Sequence, residues 1–331
     1  MIVTGFIQED LPMINGPSFA SLAYDNKKKR TRREKFLAEM DQVIPWADLL
    51  KIIRKHYPKA GNGRQPMPLE RMLRIYFMQQ WYGLSDPGME DALYDIESMR
   101  RFASIDLEAD TIPDETTILN FRHLLEKHKL TEKIFENTKH YLADKGLMLR
   151  EGTIVDATII NAPSSTKNEM RKRDPEMKQT KKGNQWYFGM KAHVGTESKR
   201  GLVHSIVVTN AGVHDSQVMD DLLHGEERAV YGDKAYANTG KSQEFESQGI
   251  EWLVDRKGTK GHPLTQKDKE WNHQQNRTRA KGEHAFLVVK HLWGYRKVRY
   301  KGLLKNAAQV FSLFALANLY MVRKDLLLLK G

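Results

Sequence analysis

Asp156 lies inside the run TIVDATII (153–160), with Val155 before it and Ile159 and Ile160 after it. An ionised carboxylate in an apolar strand pattern is destabilising unless it is paired or binds a cation. Asp233 follows a second apolar run, in AVYGDKAY (229–236), where Gly232 permits close backbone approach and Tyr236 follows at the turn. Ligands of open α/β sheets collect beyond the carboxyl ends of strands, so these two aspartates are candidates to meet in space. A third acid, Glu283, stands in RTRAKGEHAFLVVK (277–290) among Arg277, Arg279, Lys281 and Lys290. An isolated Glu on a cationic helix is most often a solvated surface residue. This one shares a helical stripe with Asn276, Arg279, Leu287 and Lys290, at spacings of 3, 4, 4 and 3. An acid flanked by cations on one face suits a site where the carboxylate holds a metal and the cations hold phosphate.

Three oxygen donors and no cysteine suit hard ions such as Mg²⁺ or Mn²⁺. Two such ions about 3.5–4 Å apart activate a water or hydroxyl and stabilise the leaving oxygen of a phosphodiester. The reaction class is then phosphoryl transfer on nucleic acid. Composition agrees: 53 Lys and Arg against 42 Asp and Glu leave a net charge of +11, and a polyanion releases counterions when such a chain neutralises its phosphates. The absence of cysteine excludes disulfides, thiolate zinc sites and cysteine nucleophiles, and fits a reducing compartment, the cytoplasm. The first residues lack the basic-then-apolar pattern of a secretory signal. The longest apolar segment, AAQVFSLFALANLYMV (307–322), carries Gln309, Ser312 and Asn318 and reads as a buried helix, so no membrane partner is expected.

The elements that must position these groups change character near residue 150. Before it, KKKRTRREK (27–35) holds seven cations against one acid, among them Lys28, Lys29, Arg30, Arg32 and Arg33, and reads as a basic arm. Helical spacing follows at 36–53, 69–80, 85–103 and 110–128, with no clear strand. From Gly152 onward, β-branched and aromatic runs predict strands at 152–160, 185–198, 201–212, 228–236 and 250–257. Helices are expected at 215–224, 239–248, 276–293 and 307–324, which makes an α/β domain with a mixed sheet. The polar stretch 161–184 reads as a loop with seven cations between Lys167 and Lys182, Lys181 and Lys182 included, a loop that DNA could order. Phosphate contacts are also expected from Arg296, Lys297, Arg299 and Lys301. Trp186, Tyr187, Trp293 and Tyr295 could stack on unpaired bases, although aromatics at such places are more often core. Among the histidines, His193, His204, His214 and His284 are candidate metal ligands; Asp215 is expected to cap the following helix, with His214 as an outer contact to metal ligands or DNA.

The order IVDATII, GDKAY, then Arg, three residues, Glu, six residues, Lys resembles the catalytic core of bacterial insertion-sequence transposases of the DDE type, in the IS-four/IS-five superfamily. The runs YPKAGNGRQPMPLERMLRIYFMQQWYGLSD, MEDALYDIESMR, PDETTILNFRHLLE, APSSTKN, RDPEMKQTKKGNQWYFGMKAHVG, LLHGEE and RYKGLLKN resemble the IS-five group over roughly residues 30 to 320. The resemblance implies a ribonuclease-H-like mixed sheet with flanking helices, preceded by an all-α domain. It implies Asp156, Asp233 and Glu283 as the catalytic, metal-binding triad, served by two Mg²⁺ or Mn²⁺ ions. Arg279 and Lys290 match the family's cations, whereas Asn276 stands where the family has tyrosine. The expected organisation is an arm at 1–34, a helical DNA-binding domain at 35–148, a catalytic domain at 149–324 and a tail at 325–331. The expected activity is cleavage and joining of DNA ends, with double-stranded DNA as partner and a homodimer on it. A nuclease that cuts without joining, and a DNA-binding relative without catalysis, are the competing readings; three intact acids speak against the second.

Overall fold

Several helices of the amino-terminal half begin where a short polar side chain accepts the free N–H groups of the first turn. The computed structural model describes residue 24 and residues 26–169, 171–237, 239–259 and 261–330, so most of the expected arm, residues 1–23 and 25, lies outside the described residues. The first helix, α1 (Arg32–Val43), starts inside the stretch expected as arm. The Thr31 hydroxyl accepts from the Glu34 N–H at 3.2 Å, and the Glu34 carboxylate accepts from the Thr31 N–H at 2.6 Å. There follow α2 (Trp46–Arg54), α3 (Leu69–Tyr82), α4 (Asp86–Asp95), α5 (Glu97–Phe102), α6 (Glu115–Lys127) and α7 (Leu130–Asp144). Ser85 caps α4 and Asp114 caps α6. The single helix expected over 85–103 is broken at Ile96, whose extended backbone (φ −115°, ψ 101°) separates α4 from α5.

The sheet is built around β1 (Gly152–Asn161). On one side runs β3 (Gln185–Glu197), antiparallel from Thr153↔Glu197 to Asn161↔Gly189. The outer edge of β3 carries β4 (Val203–Asn210) and, nearer the hairpin, β2 (Lys178–Lys182), both antiparallel to it. On the other side of β1 lie β5 (Ala229–Gly232) and β6 (Glu251–Val254), parallel to β1 and to each other. An antiparallel meander continued by two parallel strands beyond its first strand is the ribonuclease-H-like mixed sheet, flanked here by helices and preceded by a helical region. The stretch 161–184 is therefore not all loop: β2 occupies its end. Around residues 174–176 the stretch is tied to the start of the helix Leu303–Met321, for Asp174 Oδ2 accepts from Gly302 N–H at 2.7 Å and Glu176 Oε2 from Leu303 N–H at 2.6 Å.

Between and after the parallel strands come α8 (Thr239–Ser247), α9 (Gln266–Arg279), α10 (Glu283–Leu287), α11 (Leu303–Met321) and α12 (Arg323–Leu328). The helix expected over 215–224 is two short 3₁₀ turns, Asp215–Val218 and Asp220–Leu222. No helix among the described residues is long and apolar enough to cross a membrane. The apolar α11 is instead the common core element, and its polar side chains explain how it can be buried. Ser312 Oγ meets Tyr76 Oη of α3 at 2.8 Å, and Gln309 Nε2 donates to Gln80 Oε1 at 3.1 Å. Asn318 takes the Val203 N–H at 2.8 Å and gives to the Val203 carbonyl at 2.7 Å, tying α11 to β4. One apolar core consequently runs from Leu37 through the helical region to β1, β3 and α11, without a break at residue 148. A second, smaller core of Val155, Met219, Leu222, Val230, Tyr236, Phe245 and Val254 packs about the parallel half of the sheet.

Candidate active site

The register of the parallel strands decides which acids stand level. Val155 pairs with Gly232, and Gly232 with Val254, so the next residue on each strand, Asp156, Asp233 and Asp255, occupies the same end of the sheet. Burial pushes the Asp156 carboxyl up to about 6, and the charge of Asp233 adds to the effect. The Ala157 N–H, which donates to Asp156 Oδ1 at 2.7 Å, and the charges of Arg279 and Lys182 oppose it. Asp233 is half-buried in a tight turn, its Oδ1 accepting from Ala235 N–H at 2.8 Å. Beneath them Tyr236 is fully buried; its hydroxyl has no hydrogen-bond partner among the described residues, and burial with the negative field of Asp215, Asp156 and Asp233 holds it protonated.

Arg279 closes α9 over this end of the sheet. Its Nη1 donates to Asp255 Oδ2 at 2.5 Å and to Asn276 Oδ1 at 2.6 Å, which gives Asn276 a structural task at the position the family fills with tyrosine. Burial raises the Asp255 carboxyl, with Asp233 adding to the shift and Arg279 opposing it. Lys290 lies farther along, its Nζ donating to Thr158 Oγ1 at 2.9 Å and to the Ile159 carbonyl at 3.1 Å. Burial lowers its ammonium pKa, and the charges of Lys182 and Arg296 lower it further, so these cations gather at the same place.

Glu283 is exposed, and among the described residues no group of three or more acids and histidines stands close enough to hold a metal ion. The expected stripe assumed an unbroken helix over 276–293. The helix in fact starts at Gln266, passes through a 3₁₀ turn at Ala280–Gly282 and ends in a π turn at Val288–Leu292. A 3₁₀ turn advances about 20° more per residue than an α-helix, so three such residues rotate the succeeding turns by about 60° relative to Arg279. The tightening coincides with Gly282, where an added Cβ would lie 3.1 Å from Ile154 Cγ2 and 3.2 Å from Thr196 Oγ1, closer than ordinary contact, so a larger residue would require those side chains to give way.

The remaining residues divide. Lys181, Lys182 and Trp186 are exposed at the β2–β3 hairpin, with Lys181 Nζ 6.0 Å from the Trp186 ring centroid. Trp293 and Tyr295 are buried at 8% and 2% exposure and cannot stack on bases; Trp293 packs edge-on against Tyr320. Arg296 and Lys297 are exposed, and the backbone of 296–298 pairs with Asn161 at the end of β1. Arg299 also packs over Gly83, and Lys301 is exposed. Lys28, Lys29, Arg30 and Arg32 are exposed at the start of α1, which packs against α5, α11 and α12, and Arg33 lies over the Tyr82 ring at 5.2 Å. His214, not Asp215, caps the 3₁₀ turn, its Nδ1 hydrogen-bonded to Ser216; Asp215 pairs with Lys191 at 2.8 Å. His193 is buried, bonded to Thr209 and held neutral by burial, its pKa lowered to about 4; His204 is buried and bonded to Thr153 and Ser205, while His284 is exposed. Sequence reasoning misses Asp255, although WLVD repeats the pattern of TIVD and VYGD, an apolar strand closed by aspartate.

The donor chemistry fits a divalent cation in part. Two oxygen-donor carboxylates, one desolvated and in the field of the other, are relieved by a positive ion between them, while among the described residues no third acid completes a group close enough to hold one.

Residues 147–319 match the family model described as Transposase DDE domain, and residues 25–124 match a second described as Transposase domain. Among solved structures, the chain is similar to a piggyBac transposase synaptic complex with hairpin DNA, at 9% identity and TM-score 0.44, over 88% of this chain and 73% of that one. It is also similar to the Mos1 strand transfer complex, at 11% identity and TM-score 0.26, over 83% of this chain and 81% of that one.

Proposed function

Since the chain belongs to the transposases that carry a DDE domain, we propose that it serves an insertion sequence of the IS-five group, binding the element's terminal inverted repeats, cutting its ends by metal-dependent hydrolysis and joining them to target DNA. The observation that carries the site assignment is the level placement of Asp156 and Asp233 on neighbouring parallel strands, with Arg279 and Lys290 on either hand.

Asp156 and Asp233 are the residues that would hold a divalent cation, Mg²⁺ or Mn²⁺. Such ions, two in the proposed site, supply activation of the attacking oxygen and stabilisation of the leaving one. The chain's own contribution is to fix geometry. Arg279 and Lys290, each immobilised by protein acceptors, stand where a backbone phosphate between them is neutralised and oriented. The exposed cations of the hairpin and of 296–301, with those before α1 and the helical region at 35–148, draw the duplex in. Cutting and joining are both in-line attacks at phosphorus, so one site serves both.

Glu283 is proposed as the third acid. Exposed and without a side-chain hydrogen bond among the described residues, it has room to turn, and the 3₁₀ and π segments on its two sides are where the helix can rewind to bring it to the pair. Two element ends call for two copies, so we propose a homodimer on DNA, acting at the bacterial nucleoid. The test uses the DNA that flanks the reading frame. Cleavage in Mg²⁺, and joining of precut ends, are expected from the wild type and lost by more than a hundredfold on alanine substitution of Asp156, Asp233 or Glu283. Unimpaired cleavage in these variants refutes the assignment; cleavage without joining favours a nuclease, and binding without products a non-catalytic relative.

A further inference from the structure

The third strand-end acid, Asp255, has no part in the chemistry proposed so far. Its Oδ2 accepts from Arg279 Nη1, which also donates to Asn276 Oδ1. A guanidinium has five N–H donors, two of them on Nη1. Both are taken, while Nε and Nη2 of Arg279 make no hydrogen bond among the described residues. Those two nitrogens form one rigid edge, the shape that grips two oxygens of a single phosphate. Arg279 is near enough to Asp156 for its charge to be felt there.

The pair is not needed to dock α9 on the sheet. Asn272 of α9 accepts from Arg256 N–H at 2.9 Å and donates to the Arg256 carbonyl at 3.1 Å, and Arg256 Nη1 donates to Asp268 at 2.7 Å. The helix is thus already tied to the chain just after β6. What Asp255 adds is a fixed orientation for one guanidinium. A free arginine side chain carries rotamer entropy, which a clamp removes before substrate arrives.

We propose that Asp255 is a positioning residue, which with Asn276 clamps Nη1 of Arg279 and presents the Nε–Nη2 edge to the DNA phosphate beside Asp156 and Asp233. The identity of that phosphate rests on the transposase reading above.

The experiment is single-turnover cleavage, at saturating concentration, of a duplex carrying the inverted repeats that flank the reading frame. Asp255→Ala is expected to slow cleavage about ten- to hundredfold with the Kd for the same duplex changed less than about threefold. In an Arg279→Ala background the same substitution is expected to change the rate less than about twofold, since nothing remains to be clamped. Equal losses in the two backgrounds mark a mere staple and overturn the proposal, as does an unchanged rate in the single variant. Asp255→Asn, which keeps an oxygen acceptor and the side-chain shape, is expected to recover part of the rate, and it stands in if the alanine variant fails to fold. Separately, NMR of the Arg279 Nη nitrogens in the full chain without DNA should show hindered rotation in the wild type and averaging in Asp255→Ala. A wild type that shows the clamp but cuts no DNA refutes the transposase reading alone; free rotation in the wild type refutes the clamp.

Discussion

Lys290 Nζ sits 2.9 Å from Thr158 Oγ1, so the segment that carries Glu283 is pinned to the strand that carries Asp156, two residues from that acid. Lys290→Met removes the pin and a cation that the proposed reaction uses. Cleavage is expected to fall by more than about tenfold, because a misplacement of about 1 Å costs up to a hundredfold. Thr158→Val, which leaves the Ile159 carbonyl as acceptor, should cost about 0.5–1.5 kcal/mol of stability in denaturant unfolding and much less activity.

Asp156→Asn should stabilise the fold while abolishing cleavage. The folded carboxyl titrates at about 6, above its unfolded value near 3.9, so the native state binds the extra proton between those limits. The stability this group contributes is full below pH 4 and lost as pH rises through about 6. At pH 8 the asparagine variant is therefore expected to exceed the wild type by up to about 3 kcal/mol, and the gap should close as pH falls below 5, in paired thermal melts.

Divalent cation should reverse the same penalty. Mg²⁺ or Mn²⁺ at a hundred times its Kd is expected to stabilise the wild type by about 2.7 kcal/mol, read as a shift in Tm. Asp156→Asn and Asp233→Asn should show little of the shift. An equal shift in all three would place the ion elsewhere.

Acid should unfold the chain partly through its buried histidines. Burial lowers His193 to about 4 and His204 to about 3, both below the unfolded value near 6.5. The unfolded chain then binds protons that the native one refuses, and stability falls as pH drops from 6.5 toward those values, at up to about 1.4 kcal/mol per unit for each group. His204→Asn should flatten the slope in melts between pH 6.5 and 4.

Trp186 and Trp293 should respond in opposite ways. Trp186, 65% exposed at the hairpin, is expected to lose less than about 0.5 kcal/mol of stability on change to alanine, and about 1–3 kcal/mol of DNA binding if a base stacks on it. Trp293→Ala, in the core, should cost about 3–5 kcal/mol of stability. Melts and binding isotherms on the same variants check both.

Local rules carried the sequence far. The apolar pattern of TIVDATII and the β-branched and aromatic run over 185–198 determined β1 and β3, because strand-forming side chains are written in the chain itself. The apolar run 307–322 likewise had to be a buried helix, although its partners for Gln309, Ser312 and Asn318 lie on α3 and β4 and no local pattern names them. The acids Asp156, Asp233 and Glu283 were legible as types. Which of them stand together was decided by parallel register, which joins strands more than seventy residues apart and admits Asp255 to the same level. Tertiary structure also interrupted the helical period at Ala280–Gly282, where Gly282 lies close to Ile154 and Thr196, so the stripe expected for Glu283 does not continue as one α-helix. It buried Trp293 and Tyr295 while leaving Trp186 in water, for an aromatic ring looks the same in sequence whichever side of a surface it takes. The chain thus determined most of its elements and its chemical inventory, while the breaks within those elements and the meeting of side chains were decided by the packing of distant segments.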